Sequence, residues 1–422
     1  MKKIKKQKEH PATVEEETKK SEEKEKKETI PVVAHHEKAA PFHLDLSSVQ
    51  QRPILLIGSI GILGIFFAWV GLSWMAKSAK EDLATLAPEA EATGATNEAV
   101  AAEVVPKEVP RAIDGVMVAP EEQTPVIVGV MIENLYDRAV RPQSGLSSAR
   151  IVIETLVEGR ITRFYALFLG TETSSAKEIG PVRSARPYYV DIAKEYQAVF
   201  DHAGGSPEGM AEIKKLGVRD MAALAGAAVY HWRDRSKSAP HNLYTSSEKL
   251  SAFVRDKYGS EHSVFQAWKY AQPSALESRP QTAHFVHVNY SSSVYNPWFD
   301  YNRETNAYVR THAGTAFVDK NNNEPIAVEN VIVQFVPKEG YYPSGKGRLS
   351  INVAGEGRAI IARDGKVISA TWKRKTLDDR TVYTDAAGKE VEFIPGKTWV
   401  VVVPGDREVI VEPPLEPAAP AL

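Results

Sequence analysis

The stretch ARIVIETLVEGRITRFYALFLG, Ala149 to Gly170, decides how this chain folds. Its runs IVIE and FYALFL carry the β-branched and aromatic side chains that buried strands favour. Upstream, PVIVGVMIE at 125–133 reads the same way. Downstream the pattern turns helical. Pro187 to Glu195 opens with a proline suited to a first turn, and Ser206-Pro207 ahead of Glu208 to Lys215 places an N-cap serine before a proline at N1. Thr245-Ser246-Ser247 introduces a further helix to about Arg255. Strands mixed with helices predict an α/β or α+β N-terminal globular domain over 125–275.

From about residue 280 the chain turns to strands and turns, in HFVHVNY, ETNAYVRTHAG, NVIVQFV, GRAIIARDGKVISATWKR, RTVYTDAAGKEVEF and TWVVVVP. Asp364-Gly365 and Ala387-Gly388 sit where hairpin turns belong. A mainly β C-terminal domain is therefore expected over 280–412, with a disordered tail at 413–422.

Ahead of both lies ILLIGSIGILGIFFAWVGLSWMA, Ile54 to Ala76, an uncharged apolar run. As a helix it extends about 34 Å, enough to cross a hydrocarbon core of about 30 Å. One transmembrane helix, 53–76, is expected to precede the globular part. A cleaved signal peptide fits poorly, because its charged region would be over fifty residues long and Ala76 to Ala79 is a poor cleavage site. The sequence contains no cysteine, which excludes lipid attachment at a cysteine, disulfides and thiolate metal sites.

Residues 1–52 carry 12 Lys+Arg against 10 Asp+Glu, with MKKIKKQK leading, and residues 77–124 carry 4 against 10. That asymmetry predicts the N-terminus in the cytoplasm and the C-terminal domains outside. The head at 1–52 is too polar to bury a core and reads as disordered. The Ala/Glu/Pro-rich residues 77–124 read as a stalk. Residues 125–422 hold 36 basic and 34 acidic side chains, and this near-neutral balance, with no basic stripe carrying interleaved aromatics, excludes nucleic acid as a partner.

Four strings in order, RPQSGLSSARIVIETLVEGRITRFYALF, IGPVRSARPYYVDIAKEY, DHAGGSPEG and SAPHNLYTS, resemble the N-terminal domain of the YerB-like lipoprotein family. GEGRAIIARDGKVISATWKR and PGKTWVVVVP resemble its C-terminal domain, so the resemblance covers about Pro125 to Glu412. It implies a bacterial, largely surface-anchored protein in two domains, and implies no reaction. The chain departs from the family in placing a membrane helix where a lipidated cysteine is the rule.

The chemistry must come from the residues. GPVRSARP sets Arg183 and Arg186 in a proline-stiffened loop, where two guanidiniums can grip a carboxylate or phosphate. They can equally pair with buried acids such as Glu133, Glu154 or Glu158. DHAGGSP leads through His202, Gly204, Gly205 and Ser206 into a helix, a form that suits an anion, or else a tight turn with Ser206 as the cap. SAPHNLYTS places His241 and Asn242 after Pro240, with Arg233 shortly before. His241 can serve as a base or donor and Asn242 can orient it.

Asp201, either His202 or His241, and Ser206 can be drawn as a hydrolytic triad, but no spacing specifies that geometry. His284 and His287 point to opposite faces of a strand, and no helix spacing supports zinc at His202, His231 and His241, so neither metal nor cofactor is expected. Trp298, Tyr301, Tyr308, Trp372 and Trp399 read as core and cross-strand packing ahead of a glycan platform. The reading that fits best is a binding or scaffold module for an anionic cell-envelope ligand or partner protein, through Arg183, Arg186, His202, Gly204, Gly205, Ser206, Arg233, His241 and Asn242. The alternative is an extracytoplasmic hydrolase or transferase acting on cell-wall material.

Overall fold

The computed structural model describes residues 107–171, 175–259, 261–282 and 285–412. The head at 1–52, the candidate span at 54–76, the stalk as far as 106 and the tail at 413–422 lie outside the described residues. Among the described residues no helix is long and apolar enough to cross a membrane.

Strands of four or more residues are numbered in chain order. The N-terminal half contributes β1 Ile127–Glu133, β2 Ile151–Leu156, β3 Thr162–Leu169, β4 Val199–His202 and β5 Arg219–Ala222. It also carries the helices α1 Pro187–Glu195, α2 Pro207–Leu216 and α3 Ser247–Tyr258. The C-terminal half is mainly β: β6 Phe285–Val288, β7 Trp298–Asn302, β8 Ala307–His312, β9 Asn330–Val336, β10 Gly355–Arg363, β11 Lys366–Arg374, β12 Val382–Asp385, β13 Thr398–Pro404 and β14 Val409–Glu412.

The deciding stretch folds as the antiparallel hairpin β2–β3, in register from Ile151 opposite Leu167 to Leu156 opposite Thr162. It occupies the middle of a ten-stranded sheet ordered β12-β11-β10-β9-β13-β2-β3-β1-β4-β5. The strand that joins the halves is β13, TWVVVVP, which runs parallel to β9 on one side and to β2 on the other. A valine run without polar alternation needs cover on both faces, and every residue of β13 is buried. The halves thus share one sheet. A second sheet, containing β8-β7-β6-β14, is built from C-terminal strands alone.

Strand alternation sorts the charged residues onto the two faces. Glu133 pairs with Arg163, and Glu154 pairs with Phe164, the next residue along β3. The two carboxylates therefore lie on opposite faces. On the Arg163 face α1 packs down through Tyr188 and Tyr189, whose hydroxyls donate to the Leu156 and Arg163 carbonyls at 2.8 and 2.6 Å. On the Glu154 face Phe164 and Phe299 both pack against Trp399, tying β7 to the large sheet.

Local signals hold where a side chain or backbone angle enforces them. Ser206 accepts the Gly209 amide at 3.1 Å and Ser246 accepts the Lys249 amide at 3.3 Å, each as an N-cap. Asp364 and Gly365 have φ of 56° and 70°, the left-handed pair that closes a two-residue hairpin between β10 and β11.

The stalk reading needs correction at its C-terminal end, because residues 107–124 join the fold. Val109–Pro110 pairs with Met117–Val118, Ile113 enters the core, and Arg111 forks onto Asp114 at 2.9 and 2.7 Å with both residues buried. The segment is short and lacks periodicity, so its anchoring depends on partners distant in sequence, such as Arg150 at 3.4 Å from Asp114.

Candidate functional site

The three polar motifs of the N-terminal half meet along one segment, 182–186, with His202, Ser206 and Asn242 buried. The 182–186 segment hydrogen-bonds to β1, to the 203–206 turn and to residue 243: Arg183 N donates to Met131 O at 2.8 Å, Ala185 N to Gly204 O at 2.8 Å and Val182 N to Leu243 O at 2.7 Å. Gly205 suits this close approach. A Cβ there would stand 2.9 Å from Met210 Sδ and 3.0 Å from Ala185 Cβ.

Around that segment the charges fall into two ion pairs and an extra cation. Glu133 is buried and faces two partners, with Arg183 Nε 3.1 Å from Oε1 and His241 Nδ1 2.9 Å from Oε2. Arg183 also donates Nη1 to the Pro240 carbonyl at 3.4 Å. Arg186 forks onto Glu158, with Nε at 2.7 and 3.0 Å and Nη2 at 2.7 Å. Burial works against the charged form of Glu158, but the Arg186 fork outweighs it and holds the carboxyl below its ordinary range. Beneath both pairs sits Arg163, buried, whose Nη1 is answered by a carbonyl, Ser184 O, at 2.8 Å. Burial, and then repulsion from Arg186 and Arg183, pull its pKa down to about 10.

The histidines have separate partners. His202 donates Nδ1 to Gly204 O at 2.7 Å and Nε2 to Asp220 at 2.9 Å. His231 donates Nδ1 to Ala227 O at 2.9 Å and Nε2 to Asp201 at 2.9 Å. Two acceptors per ring demand two N–H bonds, the imidazolium form. Burial opposes that charge in both, yet the hydrogen bonds and charges of Asp220 and Asp201 prevail and raise both pKa values. His202 thus has neither nitrogen free to act as a base toward Ser206, whose oxygen caps α2; His241 faces Glu133 and Asp201 is held by His231, so neither version of the triad is assembled. Asn242 organises its own loop, accepting Arg233 Nη1 at 2.7 Å and donating Nδ2 to the Asp234 and Lys237 carbonyls at 3.2 and 3.0 Å.

Sequence reasoning missed Arg163. The available signal was a lone arginine inside the otherwise apolar strand TRFYALF, which has to be explained by nearby carbonyls or acids. In the C-terminal half Tyr308, Trp372 and Trp399 are wholly buried in the core, and Trp298 and Tyr301 are half-buried. His287 stacks on Trp298 with ring centres 4.1 Å apart, and burial lowers its pKa. His284 lies outside the described residues.

Comparison with known proteins places this architecture. Residues 114–261 match the N-terminal domain, and residues 286–400 the C-terminal domain, of the protein of unknown function family DUF3048. The chain is 32% identical over 289 residues to the protein named "Putative lipoprotein YerB" from Bacillus subtilis (strain 168), covering 67% of this chain and 82% of that relative. The crystal structure of YerB protein from Bacillus subtilis superposes with a TM-score of 0.61 at 27% identity, covering 72% of this chain and 99% of that one. With both domains matched in order and the relative covered over most of its length, the chain belongs to the YerB-like family of paired DUF3048 domains.

Proposed function

We propose that the chain is an extracytoplasmic protein held at the cell membrane by residues 54–76, and that its Arg183 surface binds an anionic cell-envelope ligand or an acidic patch of an envelope partner. The observation that carries the binding role is the imbalance around the 182–186 segment: Arg183 and Arg186 pair with the carboxylates of Glu133 and Glu158, while Arg163 is answered by the Ser184 carbonyl. The Arg183 and His241 side chains keep 19% and 25% of their surface exposed, so an incoming anion reaches them without unfolding the loop. A phosphate or carboxylate here would gain charge-assisted hydrogen bonds from groups already fixed in place. The outside address is supported by the charge asymmetry about the span and by the lipoprotein name of the relative YerB. The hydrolase reading has less support, since Ser206 caps α2, both nitrogens of His202 are committed, and His241 faces Glu133.

The test is calorimetry on the full chain in nanodiscs, titrated with glycerol-phosphate oligomers and with soluble peptidoglycan fragments. Binding that weakens at least about tenfold, or about 1.4 kcal/mol, in a folded Arg183→Gln/Glu133→Gln variant supports the site. Equal binding by wild type and variant would remove it.

A further inference from the structure

On the opposite face of the sheet one cluster holds five buried nitrogens with no hydrogen-bond partner among the described residues: Nε and Nη1 of Arg141, Nε and Nη1 of Arg310, and Nδ1 of His312. Arg310 directs Nη2 at both oxygens of Glu154, at 3.2 and 3.1 Å. Its guanidinium lies 3.9 Å from the ring centre of Phe317 and 4.8 Å from that of Trp399. Stacking of this kind uses the flat faces of the group and leaves its in-plane N–H bonds unanswered. Arg141 donates Nη2 to the Asn134 carbonyl at 3.0 Å and lies 5.3, 5.4 and 5.5 Å from the ring centres of Tyr136, Tyr295 and Phe317. Both guanidiniums thus attend one phenylalanine ring.

The charges around them do not balance. Glu154 is the carboxylate whose charge reaches both arginines, while Asp137 and Arg138, which line the outer cavity beside Arg141, offset one another. Burial, and then repulsion from Arg310, pull Arg141 down to about 10. Burial, then Arg141 and Arg310, press His312 down to about 4 and keep it neutral. The cluster is also open to solvent at one side. Tyr136 is 60% exposed, while Arg141, Tyr295 and His312 are half-buried. The Tyr136 amide donates to the Tyr295 hydroxyl at 3.1 Å, which fixes the two rings near one another.

Buried N–H bonds left over in a native fold call for an acceptor. We propose that Arg141, backed by the buried Arg310 and with Tyr136 and Tyr295 at the mouth, forms a binding site for a sugar acid, a pyranose ring bearing one carboxylate, in the cavity that Tyr136, Asp137, Arg138 and Arg141 line. One negative charge closes the balance, and a planar carboxylate matches the fork of a guanidinium. Tyrosine rings supply an apolar face for the C–H side of a sugar and a hydroxyl for its polar rim. The site draws on both halves of the chain, Arg141 and Tyr136 from one and Tyr295, Arg310 and His312 from the other. It lies on the sheet face away from Arg183 and does not rest on the anion surface proposed there.

Glucuronate, titrated into the full chain in detergent micelles by calorimetry, tests the site, with glucose and acetate as controls for the charge and the ring. The expected result is saturable glucuronate binding at least tenfold tighter than that of either control. It should fall at least tenfold in Arg141→Gln and severalfold in Tyr136→Ala, and persist in Arg183→Gln. Tyr136 is exposed, so Tyr136→Ala remains informative if Arg141→Gln fails to fold. In the wild type, the His312 resonances should titrate at higher pH when glucuronate is bound. No saturable binding, equal binding of acetate, unchanged affinity in Tyr136→Ala, or loss of binding in Arg183→Gln would each overturn the proposal.

Discussion

Arg310 Nη2 lies 3.1 Å from Glu154 Oε2, with the two side chains 2% and 0% exposed, so β8 of the C-terminal half is tied to β2 of the N-terminal half by a buried ion pair. Trp399 Nε1 donates to the same carboxylate at 3.1 Å and the Thr162 hydroxyl donates to it at 2.8 Å. Removing one partner leaves the other charge buried and uncompensated, which costs about 3–5 kcal/mol. Glu154→Gln and Arg310→Met should each lower the unfolding free energy measured in urea by that order, and the double substitution should cost clearly less than the two together. Strict additivity across the cycle would show that the residues are not coupled.

Ser206 separates a structural role from a catalytic one. Its oxygen accepts the Gly209 amide at the start of α2, so Ser206→Ala should cost about 1 kcal/mol of stability. Ser206→Asp, which caps as well as serine, should restore it. Rescue by aspartate, read in the thermal midpoint, identifies a cap, because a carboxylate cannot replace a serine nucleophile.

How much of this was legible depended on whether the signal was local. Pro187, Ser206-Pro207 and Asp364-Gly365 specify their elements through backbone angles and caps, and each element stands where those residues placed it. The pairing of Arg183 and Arg186 with Glu133 and Glu158 was one of two readings that the sequence left open. Its third candidate acid, Glu154, pairs instead with Arg310, a residue 156 positions away. Nothing in the sequence registers β13 between β9 and β2, since parallel pairing over such separations leaves no local mark. The Arg141 and Arg310 cluster was invisible for the same reason: its parts meet only when the two sheets pack.

The imidazolium pairs make stability depend on pH with a definite sign. Folded pKa values of His202 and His231 are raised above 6.5, so the folded state binds more protons than the unfolded chain in the window above it. Their contribution is full below the unfolded value and is lost as pH rises through the folded one. Urea unfolding from pH 6 to pH 9 should show this loss in the wild type and a shallower loss in Asp201→Asn. Asp220→Asn should have the smaller effect, because its carboxylate side chain is 37% exposed while that of Asp201 is fully buried. An unchanged slope in Asp201→Asn would refute the charged pair.

Asp191 on α1 poses the opposite problem. Its Oδ1 is buried without a partner, and burial, then the charge of Glu212, push its pKa up to about 7. The folded state holds a proton that the unfolded chain releases near pH 4, so stability falls as pH rises through 7. Asp191→Asn should raise the thermal midpoint at pH 8 and leave it unchanged at pH 4, where the carboxyl is already neutral in the fold. A stabilisation equal at both pH values would point to packing in place of charge.

The cysteine-free sequence permits a clean test of orientation, because any introduced thiol is the sole site of reaction. Ser21→Cys places it in the charged head, and Ser293→Cys places it on the exposed surface of the C-terminal half. With the N-terminus inside, a membrane-impermeant maleimide added to intact cells should modify Ser293→Cys and reach Ser21→Cys only after permeabilisation. The reverse pattern would mean that the acidic 77–124 side of the span, carrying 4 Lys+Arg against 10 Asp+Glu, faces the cytoplasm, contrary to the retention of positive charge there. Protection of both thiols would place the whole chain inside and remove the envelope ligand from consideration, whatever the arginine surfaces bind in isolation.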